Sequence, residues 1–94
     1  YYTLKIITPQ GVPYHGEVVH TLLPGAVGFA GVLAYHAPFA ASSAGGRLEI
    51  LQKTGDRKIS KIGPGFFEVR NNEATLLTRT FEVLHETPQP AGHR

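Results

Sequence analysis

The stretch LLPGAVGFAGVLAYHAP, from Leu22 to Pro38, joins the apolar end of one predicted strand to the start of the next. Its Pro24-Gly25 step predicts a tight turn, and Gly28 and Gly31 predict a loop, because glycine permits positive φ and close backbone approach. Phe29 lies between these two glycines. An aromatic ring held by a glycine loop indicates a contact surface. A second interpretation stays open, in which the ring packs back onto its own sheet.

Short apolar runs separated by turn residues extend on both sides of this stretch. The predicted strands are Tyr2–Ile7, Val12–His15, Glu17–Leu23, Phe39–Ser43, Arg47–Lys53, Lys58–Ile62, Phe66–Arg70 and Ala74–Thr78. Gly16 is expected to separate two of them, and Asn71-Asn72 to form a tight turn. Phe81–His85 is the one helical candidate. Turns recurring about every 8–12 residues predict an all-β fold, a small sandwich of about eight to ten short, mostly antiparallel strands.

Length and composition exclude several classes of protein. A chain of 94 residues suits one domain, and a formal charge of +2 is too small to predict nucleic-acid binding. The absence of cysteine excludes disulfides, thiolate zinc sites and a cysteine nucleophile. The apolar runs are far shorter than the ~20 residues that span a bilayer as a helix.

No motif in the sequence predicts catalysis or a metal site. The histidines are His15, His20, His36, His85 and His93, and none has the paired spacing of metal ligands. The glycine-rich segments lack the lysine and the helix of a phosphate-binding loop, and the serines lack a nucleophile elbow. We therefore expect no cofactor, no metal and no catalytic residue. The residues alone predict a small β interaction module.

Four motifs occur in a fixed order along the chain. They are LKIITPQG from Leu4 to Gly11, GEV from Gly16 to Val18, the segments LPG, GFAGVL and HAP between Leu23 and Pro38, and GPGFFEV from Gly63 to Val69 followed by ATLL. In this order they resemble the N-terminal β-sandwich domain of the epsilon subunit of F-type ATP synthases. The resemblance extends from Tyr2 to about Thr80. It implies a β-sandwich domain at residues 1–83 and a short C-terminal tail at residues 84–94.

The resemblance implies a non-catalytic rotor subunit in the central stalk. Members of that family clamp the gamma subunit onto the membrane c-ring and couple proton flow to ATP synthesis. We expect membrane association through the complex only, on the cytoplasmic face of a bacterial inner membrane or the matrix or stromal face of an organelle. Because the sequence after Thr87 reads PQPAGHR rather than a helical pattern, we also expect a short member without the inhibitory C-terminal helices.

The resemblance also assigns two contact sites. The expected c-ring contact is Gly28, Phe29, Ala30 and Gly31; many relatives carry a carboxylate where Phe29 stands, which implies an apolar or stacking contact in this chain. The expected gamma contact is Thr8, His36, Ala37, Pro38, Phe39, Thr78 and Arg79. Ala34-Tyr35 replaces a Pro-Gly pair that is usual in relatives.

A different class of function remains open from the residues alone. A free-standing β-sandwich module could bind a carbohydrate or a peptide. Such modules usually line the ligand face with tryptophan or tyrosine, and this chain has no tryptophan. Co-purification with the gamma subunit and the c-ring would favour the rotor subunit, whereas an isolated monomer with sugar affinity would favour the binding module.

Overall fold

A computed structural model describes residues 1–25, 28–32 and 39–87, with the backbone alone for residues 25, 28–32 and 39. All the regular structure in these ranges is strand, as the sequence predicts. The nine strands are β1 (Tyr2–Thr8), β2 (Gly11–Gly25), β3 (Gly28–Val32), β4 (Phe39–Ser43), β5 (Gly46–Gln52), β6 (Arg57–Ile62), β7 (Gly65–Arg70), β8 (Glu73–Thr78) and β9 (Phe81–Thr87).

The strands form one continuous hydrogen-bonded sheet in the order β4-β7-β8-β1-β2-β5-β6-β9, with β3 paired to β2. All pairs are antiparallel except β1 and β8, which are parallel. The first part of β2, up to Val18, pairs with β1. Its later part pairs with β5 on the opposite edge, from Val18 to Leu22, and with β3 from Thr21 to Gly25. The register between β2 and β5 shifts between Val18 and His20, so Val19 is an extra, unpaired residue of β2 at this point, as in a β-bulge.

A single hydrophobic core holds the sheet together. The buried apolar cluster consists of Tyr2, Leu4, Ile6, Val18, Leu23, Leu48, Ile50, Ile62, Phe67, Val69, Ala74 and Leu76. Strands distant in the sheet order, such as β7 and β6, therefore share one interior, which requires the sheet to fold over on itself as a two-layer sandwich. The predicted fold class is confirmed. Inside, the Tyr2 hydroxyl donates a 2.6 Å hydrogen bond to Thr21 Oγ1 and so joins β1 to the later part of β2.

Local sequence signals predicted the β5–β6 and β7–β8 hairpins correctly. Leu48 and Ile50 of β5 are fully buried on one face, and β5 pairs with β6 as the alternation indicated. Asn71 and Asn72 have φ of 52° and 61°, which is the left-handed conformation that asparagine tolerates. This turn brings β7 and β8 into register, and the pair forms one wall of the sandwich.

Two predictions around β2 were wrong. β2 is a single strand of 15 residues, rather than two strands separated at Gly16. The Pro24-Gly25 step does not form the turn either, since both residues pair with β3, and Gly28–Val32 is a strand rather than a loop. Proline interrupts a strand only where its missing N–H would have made a ladder hydrogen bond, and glycine keeps its N–H and only weakens the strand. The part of β2 around Pro13 pairs with β1 on one side, and the β5 pairing begins only at Val18.

The helical prediction for Phe81–His85 was also wrong. These residues belong to β9, which pairs antiparallel with β6 and continues to Thr87. Five residues of mixed polarity carry too little periodicity to separate helix from strand. Pairing with the edge of β6 therefore determines that Phe81–His85 form a strand. Residues 88–94 lie outside the described part of the chain.

Candidate functional site

Three neighbouring strands carry apolar doublets at matching positions: Ile6-Ile7 on β1, Leu76-Leu77 on β8 and Phe66-Phe67 on β7. Successive residues of a strand point to opposite faces, so each doublet sends one side chain into the core and one outward. The inward three are 0–1% exposed. Outward, Leu77 is the register partner of both Ile7 and Phe66, and Phe66 and Leu77 are 45% and 46% exposed. We call Ile7, Leu77 and Phe66 the apolar row.

The apolar row forms the floor of a shallow open groove of about 450 Å³. The lining residues are Ile7, Thr8, Pro9, Pro64, Gly65, Phe66, Leu77, Thr78 and Arg79. Arg79 is the one charged residue among them. A contiguous apolar surface rimmed by polar groups is typical of a protein contact site, because scattered exposed hydrophobic residues do not exclude water together. The groove therefore suits an apolar partner that presents a carboxylate near Arg79.

The structure brings together three of the residues predicted to contact gamma: Thr8, Thr78 and Arg79 all line this groove. Thr78 is buried, and its hydroxyl lies 2.9 Å from the carbonyl oxygen of Gly63, to which it donates a hydrogen bond. Thr78 thus shapes the groove from below, whereas Arg79 is exposed at its surface. Among the other predicted residues, Phe39 begins β4 opposite Val69 of β7. His36, Ala37 and Pro38 lie outside the described residues.

The predicted c-ring residues, Gly28, Phe29, Ala30 and Gly31, form most of β3. Their backbone pairs with the end of β2, with Phe29 opposite Pro24 and Ala30 opposite Leu23. The motif is therefore one arm of a β-hairpin, and residues 26 and 27, between the arms, lie outside the described part of the chain. We call β3 and the end of β2 the β2–β3 hairpin.

The β2–β3 hairpin and the groove meet at the corner between β4 and β5. The carbonyl oxygen of Pro24, near the end of the hairpin where its two arms connect, accepts hydrogen bonds from the Ala44 amide at 3.1 Å and the Ser43 hydroxyl at 3.2 Å. Ser43 is also the register partner of Gly65, which lines the groove. The two predicted contact sites are thus attached to adjacent residues of one short corner.

Gly65 is required where β7 approaches β8. A Cβ atom at this position would lie 1.9 Å from the carbonyl oxygen of Leu77, far inside van der Waals contact. Only glycine allows the two backbones to come this close. The approach sets Phe66 beside Leu77, so it also determines the shape of the apolar row.

Among the described residues, two tyrosines have shifted pKa values. Burial raises the pKa of Tyr2 to about 12, while its hydrogen bond to Thr21 acts in the opposite sense. Burial and, secondarily, the Glu86 carboxylate raise the pKa of Tyr14, whose hydroxyl donates to Gln52 Oε1 at 3.1 Å. Both shifts follow from desolvation of a phenol in the sandwich and its margin. Neither tyrosine lines the groove.

Over residues 1–25, 28–32 and 39–87, no three histidine, aspartate or glutamate side chains lie close enough to hold a metal ion. In the same ranges there is no helix able to cross a membrane.

The sequence alone does not reveal the apolar row. Ile7, Phe66 and Leu77 each lie in a predicted strand, and the motifs assign none of them to a contact site. The available signal was the doublet itself: three strands interrupt polar–apolar alternation with two adjacent apolar residues. One such doublet is common, but the register of three neighbouring strands, which aligns them, is not visible in the sequence.

Comparison with known proteins identifies the family. The family model for the beta-sandwich domain of the ATP synthase delta/epsilon chain matches residues 1–83. The ATP synthase epsilon chain of Leptospira interrogans serovar copenhageni is 37% identical over 75 residues, which cover 80% of this chain and 58% of the relative. That of Chlorobaculum tepidum is 38% identical over 77 residues, covering 82% and 88%. The chain thus spans 58% of the length of the Leptospira relatives.

Solved structures show the same fold. A chain of the Euglena gracilis mitochondrial ATP synthase, in a structure of OSCP/F1/c-ring, superposes with a TM-score of 0.80 at 23% identity, covering 85% of this chain and 51% of that chain. A chain of the Tetrahymena thermophila central stalk/c-ring structure gives 0.70 at 10% identity, covering 84% and 63%. The resemblance inferred from the four motifs is confirmed by the family match. The chain belongs to the family of ATP synthase delta/epsilon chain β-sandwich domains.

Proposed function

We propose that this protein is a non-catalytic rotor subunit of a proton-translocating F-type ATP synthase, in which it joins the gamma subunit to the c-ring. The observation that carries the proposal is the apolar row, an exposed contiguous surface on a member of the epsilon-chain family. Such a surface serves protein contact rather than chemistry on a small molecule. The Euglena and Tetrahymena proteins of the same fold come from structures that contain the c-ring, which supports the same setting for this chain.

The gamma subunit is the proposed partner of the groove. Ile7, Leu77 and Phe66 supply apolar area, and Arg79 supplies one positive charge at the surface. Apolar area excludes water and contributes most of the affinity, while a charge near the margin sets orientation and specificity. We therefore expect gamma to present apolar side chains to the row and a carboxylate to Arg79. Thr8 and Thr78 shape the groove through their own hydrogen bonds.

The c-ring is the proposed partner of the β2–β3 hairpin. Phe29, at the position where a carboxylate is usual, makes this contact apolar or stacking in character. Contact with the ring places the protein at the membrane surface through its partners, on the cytoplasmic face in a bacterium or the matrix or stromal face in an organelle. The subunit adds no catalytic residue to the complex.

The fold suits a mechanical role. A sandwich transmits force because its two layers share a close-packed interior with low compressibility. Here the β2 arm of the hairpin, at Pro24, and the groove wall are attached to one corner, at Ser43 and Ala44, so displacement of one site is carried to the other through a few hydrogen bonds. We propose that this path carries torque between the c-ring and gamma.

Affinity purification of the tagged chain from the membranes of the organism that encodes it tests the proposal. We expect the gamma and c subunits to co-purify in stable amounts, and loss of the gene to reduce ATP synthesis driven by a proton gradient. Recovery of an isolated monomer with no ATP synthase subunit would overturn the proposal. If that monomer bound a carbohydrate or a peptide, the binding-module alternative would replace it.

A further inference from the structure

We propose that Ser43 is a positioning residue that sets the direction of the β2–β3 hairpin relative to the groove. This inference rests on the proposed function, because it concerns how the two contact sites of the rotor subunit are held. Ser43 ends β4 and is 4% exposed, so its hydroxyl lies in a site where an unmade hydrogen bond is costly.

The geometry at Pro24 is the first argument. The carbonyl oxygen of Pro24 accepts from the Ala44 amide at 3.1 Å and from Ser43 Oγ at 3.2 Å. A single hydrogen bond leaves the acceptor free to tilt, whereas a second donor adds a restraint on its orientation. Ser43 Oγ also lies 3.3 Å from the carbonyl oxygen of Ala44, its own neighbour. Donation to Pro24 is the bond that ties the hairpin to β4.

The position of Ser43 in the sheet is the second argument. Ser43 pairs with Gly65 on β7, and Gly65 approaches Leu77 of the apolar row so closely that no side chain fits between them. On the other side of Pro24, Gly46 has φ of +148°, and a Cβ atom there would lie 3.3 Å from Pro24 Cβ. Pro24, near the connecting end of the hairpin, is therefore enclosed by the corner, and Ser43 is the residue that links it to the groove wall.

A matched pair of substitutions isolates the hydroxyl. Ser43→Thr and Ser43→Val add the same volume at this buried position, but only threonine keeps an Oγ donor. Ser42→Ala serves as a control, because Ser42 is exposed on the adjacent position of β4. The chain has no cysteine, so spin labels at Ala30→Cys on β3 and Glu68→Cys on β7 report one distance without background labelling.

The label distance in the purified full chain tests the inference without any partner. We expect a narrow distribution in the parent, Ser43→Thr and Ser42→Ala chains, and a distribution at least about twofold broader or shifted in Ser43→Val, since a local restraint is lost. Equal distributions in Ser43→Thr and Ser43→Val would overturn the inference. If valine prevented folding while threonine did not, the hydroxyl would be shown to hold the corner, and Ser43→Ala would then provide the distance comparison.

Reconstitution with gamma and c-ring separates this inference from the proposed function. We expect Ser43→Val to bind gamma as tightly as Ser43→Thr but to support less ATP synthesis at the same proton gradient. Failure of the unsubstituted chain to bind gamma would contradict the proposed function. The spin-label distances would then still test whether Ser43 positions the hairpin. Equal synthesis by the two variants would contradict the positioning role.

Discussion

Leu77 and Leu84 are exposed to similar extents, 46% and 54%, yet they lie in surfaces of different character. Leu77 is the centre of the apolar row, with Ile7 and Phe66 as register partners on both sides. Leu84 lies on β9, where the register with β6 shifts between Ile59 and Ser60 and makes Leu84 an extra residue. β9 is the last strand of the sheet and packs mainly on β6.

The comparison teaches that exposure alone does not define a contact surface. The apolar row is backed by Ile6, Leu76 and Phe67, all fully buried, so its shape is held by the core. On β9 the residues after Phe81 are all exposed, so within the described part of the chain β9 has no buried residue behind Val83 and Leu84. A rigid contiguous surface loses little entropy when it binds, because its side chains are already held in place.

Gly65→Val is the substitution that we expect to disrupt the apolar row most. A side chain at this position meets the Leu77 carbonyl oxygen at 1.9 Å, so β7 must separate from β8. We expect a loss on the order of 4 kcal/mol or more, a large part of the stability of a small domain. Urea unfolding measures it. Gly63→Ala is the control, since its nearest atom is the rotatable hydroxyl of Thr80 at 3.0 Å, and an equal loss there would contradict the explanation.

Substitutions at Phe67 and Phe66 distinguish the buried layer beneath the apolar row from its exposed surface. Phe67→Ala empties a site that is 1% exposed, and we expect it to lower the free energy of unfolding by about 3–5 kcal/mol. Phe66→Ala removes a side chain that is 45% exposed, and we expect a loss of less than about 1 kcal/mol together with weaker binding to gamma. Denaturation and binding measured on both variants test this division. Equal destabilisation would show that Phe66 belongs to the core.

Tyr2→Phe tests whether the hydrogen bond from Tyr2 on β1 to Thr21 on the later part of β2 stabilises the sandwich. Near neutral pH we expect a loss of about 1 kcal/mol, because the buried Thr21 hydroxyl loses its partner. Because the pKa of Tyr2 rises to about 12 in the folded chain, its contribution is complete below about pH 10 and is lost as the pH rises through 12. The stability difference between parent and variant should therefore shrink over this range. Tyr1→Phe, at an exposed position, should change neither quantity.

Ser60→Ala is expected to have a small effect of the opposite sign, an increase in stability. Ser60 lies on β6 beneath β9 and is 0% exposed, and within the described residues its hydroxyl has no hydrogen-bond partner. Removing an unsatisfied buried hydroxyl should raise the free energy of unfolding by about 1 kcal/mol. Binding to gamma should not change, since the site is remote from the groove. A destabilised variant would show that Ser60 makes a bond in solution.

Much of the fold was predictable because its signals are local. The β5–β6 hairpin follows from the alternation around Leu48 and Ile50, and the β7–β8 turn follows from the tolerance of Asn71 and Asn72 for positive φ. The length of β2 was not predictable, because Gly16 and Pro24 are residues that usually end a strand. Here both remain within β2, where Gly16 pairs with Leu4 of β1 and Pro24 pairs with Phe29 of β3. The conformation of Phe81–Thr87 likewise depends on the distant edge of β6.

The candidate site was predictable only in part. The motifs led to Thr8, Thr78 and Arg79, which the fold assembles in one groove. They did not lead to Phe66 and Leu77, because a sequence shows that each strand carries an apolar doublet but not that the doublets align. The corner at Ser43 was equally hidden, since its link to Pro24 joins residues that are distant in the chain.

The most direct test of the apolar row as the gamma contact compares Leu77→Glu with Leu84→Glu. Both substitutions place a charge at an exposed leucine of a strand, so their effects on solubility and folding are matched. In a binding titration against the gamma and c-ring subcomplex, we predict at least about tenfold weaker binding for Leu77→Glu and a change of no more than about twofold for Leu84→Glu. Equal losses, or a larger loss for Leu84→Glu, would contradict the assignment of the row as the contact surface.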